Sequence, residues 1–173
     1  MKMIKCLSLL LIFYFNVKNA QAQTFVLISK PNGNVNLTTI KKLSSSLRAL
    51  AAYYSAIGGT KCKEHTCMLT TALGLGDQGS SKQIELIQKY FPEDKVAKML
   101  CSQNCYLPPD SSAAYSNFNY LSFTIEGENI QVNYQLTVYE RGHTQILKGP
   151  DLYTFKNQVF RGKKRGLYAW MDK

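Results

Sequence analysis

The chain has 173 residues, with 21 Lys or Arg against 11 Asp or Glu and a formal net charge of +10. That length suits one domain, and the sequence shows no internal repeat and no low-complexity tract. No stretch reaches the roughly 18 apolar residues that a membrane-spanning helix needs.

Residues 1–22 read as a secretory signal. Lys2 and Lys5 give a basic start, residues 6–15 form an apolar run, and Ala20-Gln21-Ala22 supplies a small-x-small cleavage pattern. A mature protein beginning near Gln23 is expected, secreted or periplasmic, with 18 basic and 11 acidic residues, net +7. Cys62, Cys67, Cys101 and Cys105 remain in it. An even cysteine count in an oxidising compartment predicts structural disulfides. About 150 residues bury roughly 70% of their unfolded surface, so such bridges reinforce a core and do not replace one.

Residues 24–29 form a short strand or an ordered arm, and Lys30-Pro31-Asn32-Gly33-Asn34 breaks it. Leu37, Ile40, Leu43, Leu47, Leu50, Ala51, Tyr54 and Ile57 then recur at helical spacing. One helix is predicted there, capped by Asn36, stapled by Val35 on Ile40 and stopped by Gly58-Gly59. Its opposite face, with Lys41, Lys42, Ser45 and Arg48, reads as basic and wet. Ser44-Ser45-Ser46 has no flanking nucleophile-elbow glycines and reads as helix surface.

A second helix over about 64–73 leads into Gly74-Leu75-Gly76-Asp77-Gln78-Gly79. That glycine spacing fits neither phosphate-binding fingerprint and reads as a turn. Ser80-Ser81-Lys82-Gln83 is a capping box for a third helix, bearing Ile84, Ile87 and Phe91 on one face. Pro92-Glu93-Asp94 restarts the chain as a fourth, with Val96, Met99 and Leu100 together. Residues 106–112 are a linker.

Beyond the linker the period becomes two. Leu121, Phe123 and Ile125 alternate with polar residues, as do Ile130, Val132, Tyr134, Leu136 and Val138. Turns are predicted at Gly127-Glu128-Asn129, Arg141-Gly142-His143, Gly149-Pro150-Asp151 and Lys156-Asn157, with further short strands near 144–147, 152–155, 158–160 and 167–171. Helices first and strands second predict an α+β domain over 23–173. In it a disulfide-stapled layer of about four helices (about 36–105) packs on a C-terminal antiparallel β-meander (about 119–171).

Antiparallel packing of the second and fourth helices nests a Cys67–Cys101 bridge inside Cys62–Cys105. The inner bridge would close a loop of about 35 residues, contributing about 3–4 kcal/mol. The local pairs Cys62–Cys67 and Cys101–Cys105 require both segments to be non-helical, since Cβ atoms must approach to about 3.8 Å. The same cysteines with His65 have tolerable zinc spacing, but export favours disulfides, so no metal and no cofactor are expected. A catalytic thiol needs an unpaired cysteine beside His65 or His143. His143, in a predicted hairpin turn, reads first as a solvated turn residue. Glu126, Glu128 and Glu140 lie at strand ends, where polar residues are ordinary, and nothing marks them as an acid/base pair.

The strongest surface feature is Arg161-Gly162-Lys163-Lys164-Arg165-Gly166, four cations in five residues, read as a hairpin tip. Its ordinary role is to discourage edge-to-edge sheet pairing. Its functional role is contact with an anionic partner such as an acidic protein face, lipid headgroups or an acidic glycan. Tyr168 and Trp170 beside it would complete the patch, and export makes nucleic acid an unexpected partner. These features favour an exported, non-enzymatic binding protein of inhibitor or immunity type, recognising an anionic macromolecule. The alternatives are a carrier of small apolar ligands, with a pocket between helices and sheet, and a hydrolase with a concealed cleft.

Overall fold

The computed structural model describes residues 21–29, 33–56, 65–103, 115–140 and 142–167, without the side chains of 65–68, 115–116 and 140. Among them, helices lie on one face of a seven-stranded antiparallel sheet, an α+β arrangement. Helices do not simply precede strands. Gln23–Ser29 (β1) and Asn34–Val35 (β2) come before every helix, and β1 joins the sheet beside Tyr115–Glu126 (β3). A bulge between Val26 and Ile28 turns both Leu27 and Ile28 into the core. The predicted leader, the break at 30–32, the stop at Gly58-Gly59 and the linker at 106–112 lie outside the described residues, apart from residues 21 and 22.

The single helix predicted from residue 37 is two. Leu37–Lys42 (α1) ends where Leu43 becomes extended, and Ser45–Ser55 (α2) begins afresh. Ser44, read from sequence as helix surface, is the N-cap of α2, its hydroxyl accepting from the Leu47 N–H at 3.3 Å. Asn36 caps α1, as its position predicts. Nor is the far side of α2 wet beyond Arg48. Residues 49–55 are all buried, because His65–Ala72 (α3) and Ser81–Tyr90 (α4) cover the side turned from the sheet. The Arg48 guanidinium donates to the Leu73 carbonyl.

Between these helices lies a buried polar seam. Gln83 is fully buried; its amide nitrogen donates to the Ala52 carbonyl and the Ser55 hydroxyl, both at 3.1 Å. Ser80 caps α4 as predicted, but the returning bond of the box shifts by one residue. Gln83 Oε1 accepts from the Gly79 N–H at 2.8 Å, not from Ser80. Lys95–Ser102 (α5) begins later than predicted, with Asp94 as its N-cap and Val96, Ala97, Leu100 and Cys101 buried.

Asn129–Glu140 (β4) pairs with β3 along its whole length. Its other side forks: residues 135–140 pair with His143–Lys148 (β5), residues 129–132 with Asp151–Lys156 (β6). The path is β2-β1-β3-β4-β6-β7, where β7 is Val159–Lys164, and β5 hangs off β4. At the fork a Cβ on Gly149 would stand 2.5 Å from the Tyr134 ring, so only glycine fits.

The alternation read from sequence is confirmed on the inner face, where Phe118, Leu121, Phe123, Ile130, Val132 and Leu136 are buried against the helices. A run of rings ties the layers together. Tyr53 of α2 stacks on Phe91 at 4.5 Å, Phe91 on Phe160 at 4.9 Å, and Phe160 meets Phe155 at 4.6 Å. Offset stacks of this kind add roughly 0.5–1.5 kcal/mol each beyond their buried area.

Candidate functional site

The cationic run is not a hairpin tip. The turn lies at Asn157 and Gln158, whose φ values of 52° and 65° mark a two-residue hairpin with both central residues left-handed. Arg161, Gly162, Lys163 and Lys164 belong to β7, opposite residues of β6. Among the described residues β7 has no strand on its other side, so the cations line an open sheet edge. Lys163 is an extra residue, because Gly162 pairs with Tyr153 and Lys164 with Leu152.

Arg161, Lys163 and Lys164 are exposed. Arg161 Nη2 lies 3.3 Å from Glu93 Oε2, both side chains more than 70% exposed. Lys163 Nζ donates to Asn129 Oδ1 at 3.0 Å. Exposed pairs of this kind contribute about 0–1 kcal/mol, so the cations stay available to a competing anion.

Arg165 is different. Its side chain is 13% exposed and paired with Asp94, itself 6% exposed, and it lies 3.4 Å from the Tyr53 hydroxyl. The cap of α5 thus also holds the end of β7, and Arg165 points inward, away from the surface patch proposed from sequence. Tyr168 and Trp170 lie outside the described residues.

Arg165 leads into a cluster that sequence reasoning missed. Asp151, read as a turn residue, opens β6 on the inner face and is fully buried. Tyr54 donates its hydroxyl to Asp151 Oδ2 at 2.6 Å. Tyr134 donates to Oδ1 at 3.3 Å, and the Gly166 N–H to the same oxygen at 2.6 Å. The Tyr54 and Tyr153 hydroxyls are 3.2 Å apart. A phenol has one proton, and Tyr54 commits its own to the nearer carboxylate, which leaves Tyr153 as donor in that pair.

A buried carboxylate is tolerated when donors replace its water, as three do here. Burial, and then the neighbouring Tyr153 and Asp151, push the Tyr54 phenol well up. Burial likewise raises Tyr153, with Asp151 adding to it and Tyr54 and Arg165 opposing it. Tyr134 is raised by burial and by Asp151. All four side chains are at least 96% buried, so a substrate has no route to them as they stand. Their work is mechanical: Asp151 holds Gly166, and with Arg165–Asp94 fixes the chain leaving β7. A Cβ on Gly166 would stand 3.0 Å from the Tyr134 hydroxyl, close enough that the phenol would have to give.

The sequence did carry a signal for this cluster. Tyr54 and Tyr134 both occupy apolar-stripe positions, and buried phenols seek a hydrogen-bond partner.

The remaining candidates are scattered. Cys62 and Cys105 lie outside the described residues, as do the side chains of Cys67 and His65. Cys101 is buried in α5 with its Sγ 3.9 Å from the Ile84 carbonyl oxygen. No disulfide is formed among the described residues, and none of their His, Cys, Asp and Glu groups could hold a metal. His143 is not a turn residue but the exposed first residue of β5. Glu126 ends β3, and Glu128 lies 3.9 Å from Lys156. No described helix is long and apolar enough to cross a membrane. Compared with family models, with curated proteins and with solved structures, the chain finds no match.

Proposed function

We propose that this is an exported binding protein of inhibitor or immunity type, which recognises an anionic macromolecular partner through the cationic edge of β7. One observation carries the reading. Arg161, Lys163 and Lys164 are exposed on a single edge strand whose two ends are anchored, by the Phe160 stack on one side and by Arg165–Asp94 and Gly166–Asp151 on the other. Charges held on a rigid edge lose little conformational freedom on binding, and a one-signed patch speeds encounter with an anion. The leader-like pattern of residues 1–22 supports export.

The carrier reading has less behind it. Where helices meet the sheet, Tyr53, Tyr54, Phe91, Phe118, Tyr153 and Phe160 are each under about 2% exposed and interlock ring on ring. The groove of about 470 Å³ along α4 and α5, beside Gln88, Pro92, Lys98 and Cys101, meets that interface only through Phe91, which also lines it.

Capture from the native secretome or periplasm, at low and at high salt, tests the proposal. A partner released by salt and lost on Lys163→Ala/Lys164→Ala supports it. Salt-insensitive capture that survives the double substitution contradicts it, and a co-purifying small apolar molecule in place of a partner supports the carrier.

A further inference from the structure

We infer that the partner presents an acidic segment in extended conformation, which adds as a strand to the open edge of β7; this rests on the anionic-partner reading above. The two-residue turn at Asn157 and Gln158 makes Lys156 and Val159 a hydrogen-bonded pair, and two residues further on Thr154 and Arg161 another. Val159 and Arg161 therefore aim their main-chain groups at β6. Phe160 and Gly162 aim theirs the other way, each offering an N–H and a C=O at an edge that no described strand covers. Phe160 is held between Phe91 and Phe155, so this stretch is set in strand geometry before anything binds.

Charge then selects the incoming strand. Arg161, Lys163 and Lys164 lie within four residues of one another on this strand, with Lys163 the extra residue of the bulge. An incoming strand meets clustered cations, so the complementary segment is rich in carboxylates. A carboxylate already occupies part of this position, since Glu93 lies 3.3 Å from Arg161 in an exposed pair that a partner's carboxylate can displace. Pairing of β7 with the β7 of a second copy is disfavoured, because it would set cations against cations. Of the other edge strands among the described residues, β2 has only two residues and no cation, and β5 exposes Ile146 and carries a single lysine, Lys148, so neither has the cationic run.

Isotope-labelled protein titrated with a short synthetic peptide alternating Glu and Thr tests this mode. The amide signals of Phe160 and Gly162 should shift and gain protection from hydrogen exchange. N-methylation of the peptide at the nitrogens facing β7 should weaken binding at least about tenfold, as should Lys163→Ala/Lys164→Ala. Equal binding of the N-methylated peptide overturns strand addition while leaving the anionic contact intact. Failure of the peptide, with phosphatidylglycerol vesicles or heparin bound through the same lysines, overturns it in the same way. If peptide, vesicles and heparin all fail to bind, both this inference and the reading beneath it fall.

Discussion

Replacing Asp151 with Asn changes one charge and almost no volume, and so isolates what the buried carboxylate does. In the native cluster Oδ1 accepts from Tyr134 and from the Gly166 N–H, and Oδ2 from Tyr54. An amide placed there keeps one acceptor and turns an NH2 towards the Tyr54 hydroxyl, 2.6 Å away and now a donor. Tyr54 can rotate its proton to Tyr153, but the Tyr153 proton then loses its acceptor within the cluster. Hydrogen bonds to an ion are worth about 1.5–3 kcal/mol each and neutral ones about 0.5–1.5. Three bonds weakened by about 1 kcal/mol each, partly offset by no longer burying a charge, give a destabilisation of about 2–3 kcal/mol. In a domain of this length that lowers the melting temperature by about 4–12 °C. Urea unfolding should show the loss as a shifted midpoint with an unchanged slope. Tyr54→Phe should be strongly non-additive with it in a double-mutant cycle. An Asp151→Asn protein within about 0.5 kcal/mol of the parent, or simple additivity with Tyr54→Phe, refutes the clamp.

Three further outcomes follow from the same geometry. Gly149→Ala should cost about 1–3 kcal/mol in chemical denaturation, because its methyl would meet Tyr134 at 2.5 Å and the Val132 carbonyl at 3.0 Å. Ser44→Ala should cost about 1 kcal/mol through loss of the α2 cap, whereas Ser46→Ala should be nearly neutral. Alkali should unfold the protein steeply: the phenols of Tyr54 and Tyr153 ionise less readily folded than unfolded, so their contribution is complete below about pH 10 and is lost as pH rises above it. The slope there should approach about 1.4 kcal/mol per pH unit for each, and fall in Tyr153→Phe; a pH-independent stability between about pH 10 and 12 would contradict this.

Periodicity made most of the fold legible. The alternation of Ile130, Val132, Tyr134 and Leu136 located β4, and the apolar stripe and caps located α1, α2 and α4. What escaped was tertiary. Nothing local to residues 24–29 says that they pair with β3, about a hundred positions later. The stripe from Leu37 to Ile57 is continuous in helical phase, so it hides the break at Leu43, which depends on Ser44 finding the Leu47 N–H. Gly149-Pro150-Asp151 has turn composition; only the three donors brought from α2, β4 and Gly166 make Asp151 a buried strand residue.

The cationic run was visible as composition and misplaced as geometry. The glycines flanking it suggested a loop tip. Bulk there would press on the Arg165 side chain at Gly162 (Cδ at 2.8 Å) and on the Tyr134 hydroxyl at Gly166 (3.0 Å). Arg165 resembles its neighbours in sequence, and only the position of Asp94 distinguishes it as an internal strut.

The decisive measurement is site-directed photo-crosslinking: a benzophenone side chain at Val159, which opens β7 and leaves Arg161, Lys163 and Lys164 in place, or at Ile146 on the exposed β5 edge, in protein offered its native extracellular or periplasmic milieu. A discrete adduct is expected from position 159 alone, suppressed by salt and mapping to an acidic stretch of the partner. Adducts of equal yield from both positions, or from Ile146 only, would contradict the account.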